Sequence, residues 1–111
     1  MPRSDEELRK WCRDNWNQIP ELVRNDCLAE LESAIPPAVI KEWKTNSYDV
    51  GFFHFGAGMT VRNILRKQLT DEELPGVKYD GMEGLIKNWD DYYTGAIDEL
   101  LERYNDDGSK K

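Results

Sequence analysis

The amino-acid sequence predicts one small all-α domain of five to six helices packed around a central, glycine-containing helix. Three observations predict it. Apolar residues recur at three- and four-residue spacing along most of the 111 residues, which is the period of an amphipathic helix. No stretch alternates apolar and polar residues as a half-buried strand does. Prolines and capping residues punctuate the periodic segments at lengths that suit helices. Hydrophobic residues make up 39% of the chain and aromatics 11%, with four Trp. That is enough apolar surface for a single core without disulfides or a structural metal. No repeat or long linker divides the chain, so 1–111 reads as one domain.

The elements follow in order. Ser4 and Glu7 have the spacing of a capping box, and Leu8, Trp11, Cys12, Trp16 and Ile19 then share one face, giving an N-terminal helix over 4–19. Asp26 is a candidate cap for a second helix with the stripe Cys27, Leu28, Leu31, Ala34 and Ile35. Pro36-Pro37 ends it and suits the first turn of a third helix carrying Val39, Ile40 and Trp43. "KTNS" at 44–47 reads as a loop. A fourth helix is expected from about Asp49 to about Lys67, apolar on two sides and therefore central: Phe52, Phe55 and Met59 form one arc, and Phe53, Ala57, Val61, Ile64 and Leu65 the other. Thr70 caps a short turn that Pro75-Gly76 breaks. Met82, Leu85, Ile86, Trp89, Tyr93, Ala96, Ile97, Leu100, Leu101 and Tyr104 make a last stripe, on one long helix or two joined near Asp90. Residues 105–111 read as a frayed tail.

The stretch "GFFHFGAGMTVRN" at 51–63 holds all three Phe and the one His. Its glycines do not fit a phosphate loop, because no G-K-S/T follows. They do not fit a dinucleotide fingerprint either, since Val61 stands where a third small residue is needed. Glycine within a helix costs about 1 kcal/mol relative to alanine, so Gly56 and Gly58 are expected to admit a neighbouring helix. His54, Gly58, Arg62 and Arg66 are spaced by four and form one line up the helix. Two readings diverge here. Arg62 is a structural clasp to Asp90, Asp91 or Asp98, or the line is a small basic notch that accepts an anion or a partner's carboxylate.

"HFGAGMTVRN" resembles the core signature H-F-G-x-G-M-x-I/V-R-N of an uncharacterised family of small bacterial and phage helical proteins. The resemblance covers residues 26–104, with "LAELESAIPPAVIKEWK" before the signature and "DDYYTGAIDELLERY" after it. It implies a helical core carrying His54, Phe55, Gly56, Gly58, Met59, Arg62, Asn63, Asp90 and Asp91 as signature residues. Thr60 departs from it where an aromatic residue is expected, 70–88 is a longer acidic insert, and the helix over 4–19 is extra. The resemblance brings no activity with it.

Charge and composition narrow the function. The net charge is −7, which disfavours direct binding to nucleic acid or an anionic membrane. No apolar run reaches the roughly 18 residues that span a bilayer, and "MPRSDEELRKW" lacks a signal core, so a cytoplasmic location is expected. Residues 1–35 carry net −3, 36–69 net +3 and 70–111 net −7. This split signifies neutralisation within the fold, a basic middle surface, or an acidic C-terminal face offered to a basic partner. Cys12 and Cys27 read as buried free thiols, and one His without C-x-x-C argues against zinc. No nucleophile stands at motif spacing from His54, and Asp90-Asp91 suits a helix start better than a metal site. No cofactor is expected. The favoured function is therefore a non-enzymatic protein-interaction module, a phage or mobile-element accessory or inhibitor protein that binds a host protein as monomer or homodimer. The alternative is a small-ligand or anion-binding protein using His54, Gly58, Arg62 and Arg66.

Overall fold

A computed structural model of the chain describes residues 5–45, 57–76, 87–105, 107 and 109–111. Their architecture is all-α. Five helices follow in order: α1 (Asp5–Asn17), α2 (Glu21–Ala34), α3 (Pro37–Thr45), α4 (Ala57–Gln68) and α5 (Tyr93–Glu102). Two single 3₁₀ turns, Asp71–Glu73 and Trp89–Asp91, lie between α4 and α5. The Ser4 cap and the expected core positions Phe52, Phe53, Phe55, Gly56, Met82, Leu85 and Ile86 lie outside the described residues.

Local chemistry explains most boundaries. α1 ends in a tight turn in which the Gln18 and Ile19 N–H groups donate to the Asn15 and Trp16 carbonyls, both at 3.1 Å. α2 begins at once, five residues before the expected cap. Pro20 occupies its N-cap position with extended backbone, and Glu21 places a negative charge in the first turn, where the helix dipole favours it. Asp26 is an exposed mid-helix residue rather than a cap. Pro37 opens α3, which continues through Lys44 and Thr45, two residues further than the sequence suggests. Thr70 stands at the expected cap, and Glu73 completes a capping box with it: the Glu73 carboxylate accepts from the Thr70 N–H at 3.0 Å and from its hydroxyl at 2.9 Å. The last segment is broken before α5, and the residue that caps its 3₁₀ turn is Asn88. The Asn88 Oδ1 accepts from the Asp90 N–H at 2.9 Å, so Asp90 and Asp91 lie inside the turn.

The core is one cluster. Trp16, Ile19, Cys27, Leu28, Leu31, Ile40, Val61, Leu65, Trp89, Tyr92, Ala96, Ile97 and Leu100 are all buried in it. Burying one large apolar side chain contributes roughly 1.5–3 kcal/mol, so the stripes read from the sequence supply most of the cohesion. Trp16 and Trp89 meet at 6.1 Å between ring centroids, and Trp89 meets Tyr92 edge-on at 5.9 Å.

Residues 49–56, half of the helix expected to be central, lie outside the described residues. Among the described residues the most buried helix is α5, and it too carries a glycine. Seven of its ten residues are buried, Tyr93 to Ile97 with Leu100 and Leu101, and it touches α1, α2, α3 and α4. Its glycine, Gly95, lies against α1. A Cβ there would stand 2.6 Å from the Cys12 carbonyl oxygen, 2.6 Å from Trp16 Cβ and 2.9 Å from Arg13 Cα. Two helix backbones meet there, which only a missing side chain permits. The described part of α4 is one-sided instead. Gly58, Val61, Arg62 and Leu65 are buried, while Met59, expected in the core, is 50% exposed.

The C-terminal residues, expected to fray, fold back. The Asn105 N–H donates to the Ser109 carbonyl at 2.7 Å and the Lys111 N–H to the Arg103 carbonyl at 2.8 Å. Tyr104 and Lys110 pair as an antiparallel bridge, and Lys110 Nζ reaches Glu32 Oε2 on α2 at 2.8 Å.

Candidate functional site

The line of basic residues on α4 is where the sequence concentrates its signals. Arg62 is 6% exposed. Its Nη1 lies 3.1 Å from Asp90 Oδ1, and its guanidinium sits 5.0 Å from the Tyr93 ring centroid, within cation–π range. One turn on, Arg66 Nε is 2.9 Å from Asp71 Oδ1, its Nη1 donates to Asn63 Oδ1 at 3.3 Å, and its Nη2 is 4.0 Å from Asp90. The other Asp71 oxygen accepts from the Trp89 N–H at 3.4 Å, and Trp89 Nε1 donates to the Leu69 carbonyl at 2.7 Å. The cluster therefore ties α4 to both 3₁₀ turns. Asp91 takes no cation from it: burial first, and then the nearby Asp90, raise its carboxyl above the usual range. Its backbone carbonyl accepts from Asn15 Nδ2 at 3.2 Å.

This geometry joins three of the signature residues, Arg62, Asn63 and Asp90, with Arg66, the last residue of the basic line. Gly58 is buried one turn before Arg62 and Met59 points away to solvent. His54, Phe55 and Gly56 lie outside the described residues. The arrangement neutralises charge within the fold. Among the described residues no group of three or more His, Cys, Asp or Glu could hold a metal ion. Cys12 and Cys27 are buried free thiols, and burial pushes them up to about 12 and about 11, so they stay protonated at neutral pH.

Of the three readings the charge split leaves open, neutralisation within the fold is what the structure shows at Asp98, Glu99 and Glu102, which face arginines of their own chain. Arg13 holds Glu102 with two bonds of 3.0 Å, and Arg9 meets Asp98 at 3.3 Å. Glu99 accepts from Trp16 Nε1 at 2.9 Å, lies 3.4 Å from Arg24 and 3.3 Å from Arg103. The Arg13 bond holds the Glu102 carboxyl below the usual carboxylate range. A signal for this ladder existed: Arg9 and Arg13 are four apart, and so are Asp98 and Glu102. Helices repeat faces at that spacing, but nothing local says which two helices are neighbours.

Sequence reasoning also missed the surface depressions around α3. A groove of about 400 Å³ is lined by Arg9, Arg13, Trp43, Lys44, Asp98, Leu101 and Glu102. An apolar slot of about 180 Å³ lies among Ala34, Ile35, Pro36, Val39, Trp43, Thr60 and Val61. Trp43 borders both, and it was read only as core.

No family model, no curated protein and no solved structure matches this chain. Among the described residues, no helix is long and apolar enough to cross a membrane.

Proposed function

We propose that the chain is a non-enzymatic protein-binding module and that its partner docks around Trp43. The supporting observation is that one half-buried Trp borders both an apolar slot and a charged groove. Binding energy concentrates on such aromatic residues, where apolar contact and a polar rim adjoin. Met59, 50% exposed, adds apolar surface on α4 just before the slot residues Thr60 and Val61. The role we propose for such a module is that of an accessory or inhibitor protein that binds a host protein.

The anion-notch reading is weaker. Arg62 is buried and already engaged by Asp90 and Tyr93, so an anion would have to displace a carboxylate of the same chain. Affinity capture from a host lysate tests the choice, using the wild-type chain beside Trp43→Ala and Thr60→Arg. One specific protein retained by the wild type and lost by both folded variants is expected. Thermal stabilisation by small anions that Arg62→Lys abolishes, with no protein captured, would favour the notch instead.

A further inference from the structure

We infer that Arg13 and Arg24 form a binding site for a small oxyanion of the phosphate class, in the place that the Asn17 side-chain oxygen takes when the site is empty. The observation is a convergence. Arg13 Nε donates to Asn17 Oδ1 at 3.2 Å, and Arg24 Nη1 donates to the same oxygen at 3.0 Å. Two guanidinium groups from α1 and α2 thus meet on one neutral acceptor. Asn17 is the last residue of α1 and is exposed, so its side chain is free to turn out to water. An anion's oxygen in its place accepts the same two bonds in charge-assisted form, roughly twice as strong as neutral ones. The planar donor fork of guanidinium suits such a ligand.

The two arginines are not held equally. Arg13 grips Glu102 with two bonds of 3.0 Å. Arg24 has only the longer contact to Glu99, at 3.4 Å, made by the same Nη1 that reaches Asn17. Glu99 also accepts from Trp16 Nε1 at 2.9 Å and from Arg103 at 3.3 Å, so one carboxylate serves two arginines. The Arg24 Nε is buried and makes no hydrogen bond. A second anion beside Arg24 therefore supplies charge that Glu99 divides. Glu99 and Glu102 cap the affinity, because each already cancels part of the positive charge, and binding on the order of millimolar follows. The site stands independently of the docking surface: of Arg13, Asn17 and Arg24, only Arg13 lines the groove beside Trp43.

NMR titration of the isotope-labelled full-length chain with inorganic phosphate tests the inference, at constant ionic strength so that screening does not vary. Asn17 supplies the variants, since it is exposed and its replacement leaves both arginines in place; thermal melting first shows them folded. The wild type should give a saturable shift of the Arg13 Nε–H signal and of the backbone amides around Asn17. Asn17→Ala removes the internal competitor and should bind phosphate about two- to tenfold tighter, the worth of one hydrogen bond. Asn17→Asp sets a permanent carboxylate between the arginines and should abolish the shift. Equal phosphate affinity in all three chains, or shifts that never saturate, would overturn the inference and leave Asn17 as an ordinary helix-end contact.

Discussion

Two sets of arginine–carboxylate pairs hold this small protein, and they differ in almost everything except chemistry. The ladder between α1 and α5 has the better geometry: Arg13 grips Glu102 with two bonds of 3.0 Å. Yet Glu102 keeps 62% of its side chain in water. The clasp between α4 and the second 3₁₀ turn has a 3.1 Å contact from Arg62 to Asp90, and its guanidinium is buried against Tyr93. Surface pairs contribute roughly 0–1 kcal/mol because water competes for both ends. Removing one member of a buried pair costs far more, because the other is left uncompensated. Contact length therefore does not rank these regions. What each truncation leaves behind does.

The comparison also shows where the α1–α5 seam gets its strength, and that prediction is the largest. At Gly95 the helices touch backbone to backbone. Gly95→Leu should cost at least about 3 kcal/mol, the upper end of ordinary overpacking, and chemical denaturation measures it directly. Gly95→Ala is the sign test. Helix propensity alone would stabilise by about 1 kcal/mol, whereas the close approach to Cys12 and Trp16 predicts a net loss. A gain in stability with alanine would mean that the seam is looser than described.

Next comes Arg62→Ala. A fully buried pair would lose about 3–5 kcal/mol, but Asp90 is 41% exposed and water can solvate the abandoned carboxylate. A loss of about 2 kcal/mol follows, part of it from the space opened beside Tyr93. Arg62→Lys should recover only some of this, since a lysine has no planar face to lay on the ring. Equal melting temperatures for wild type and Arg62→Ala would remove the contrast between clasp and ladder.

Glu102→Gln should cost less than about 1 kcal/mol at neutral pH. Its pH dependence gives a sharper reading. The folded Glu102 carboxyl is depressed by Arg13, so its contribution is present above the unfolded carboxylate value and is lost as pH falls through the folded one. The wild-type advantage over Glu102→Gln should therefore shrink on acidification.

Asp91 has the opposite sign, and the smallest effect is expected there. Burial raises its folded carboxyl, so ionisation opposes folding at neutral pH and the penalty disappears as pH drops below the unfolded value. Asp91→Asn should be neutral to slightly stabilising at pH 7, with the difference vanishing in acid. Destabilisation at neutral pH would show that the charged form makes a favourable contact.

The sequence by itself determined a good deal. The apolar stripes Cys12–Trp16–Ile19, Cys27–Leu28–Leu31–Ile35 and Trp89–Tyr93–Ala96–Ile97–Leu100 are buried as their spacing requires. Pro37 opens α3 and Thr70 stands at the N-cap of a short turn as read, because caps and periodicity are properties of a few neighbouring residues. Arg62 was legible as a clasp candidate, since a basic residue on a buried helix face needs a carboxylate. Pairing across the fold was not legible. Nothing near Asp98 or Glu102 names Arg9 and Arg13, 89 residues away, so an acidic stripe that looks free in sequence is neutralised by a neighbour that only packing supplies. The same holds for Gly95, which closes the α1–α5 seam while attention goes to Gly56 and Gly58. It holds too for Trp43, which period alone assigns to the core and which the meeting of α1, α2, α3, α4 and α5 leaves half-buried at the edge of two grooves. Periodicity fixes which face of a helix turns inward. How far that face is covered depends on which helices arrive there and how closely, and that is decided only by the tertiary structure.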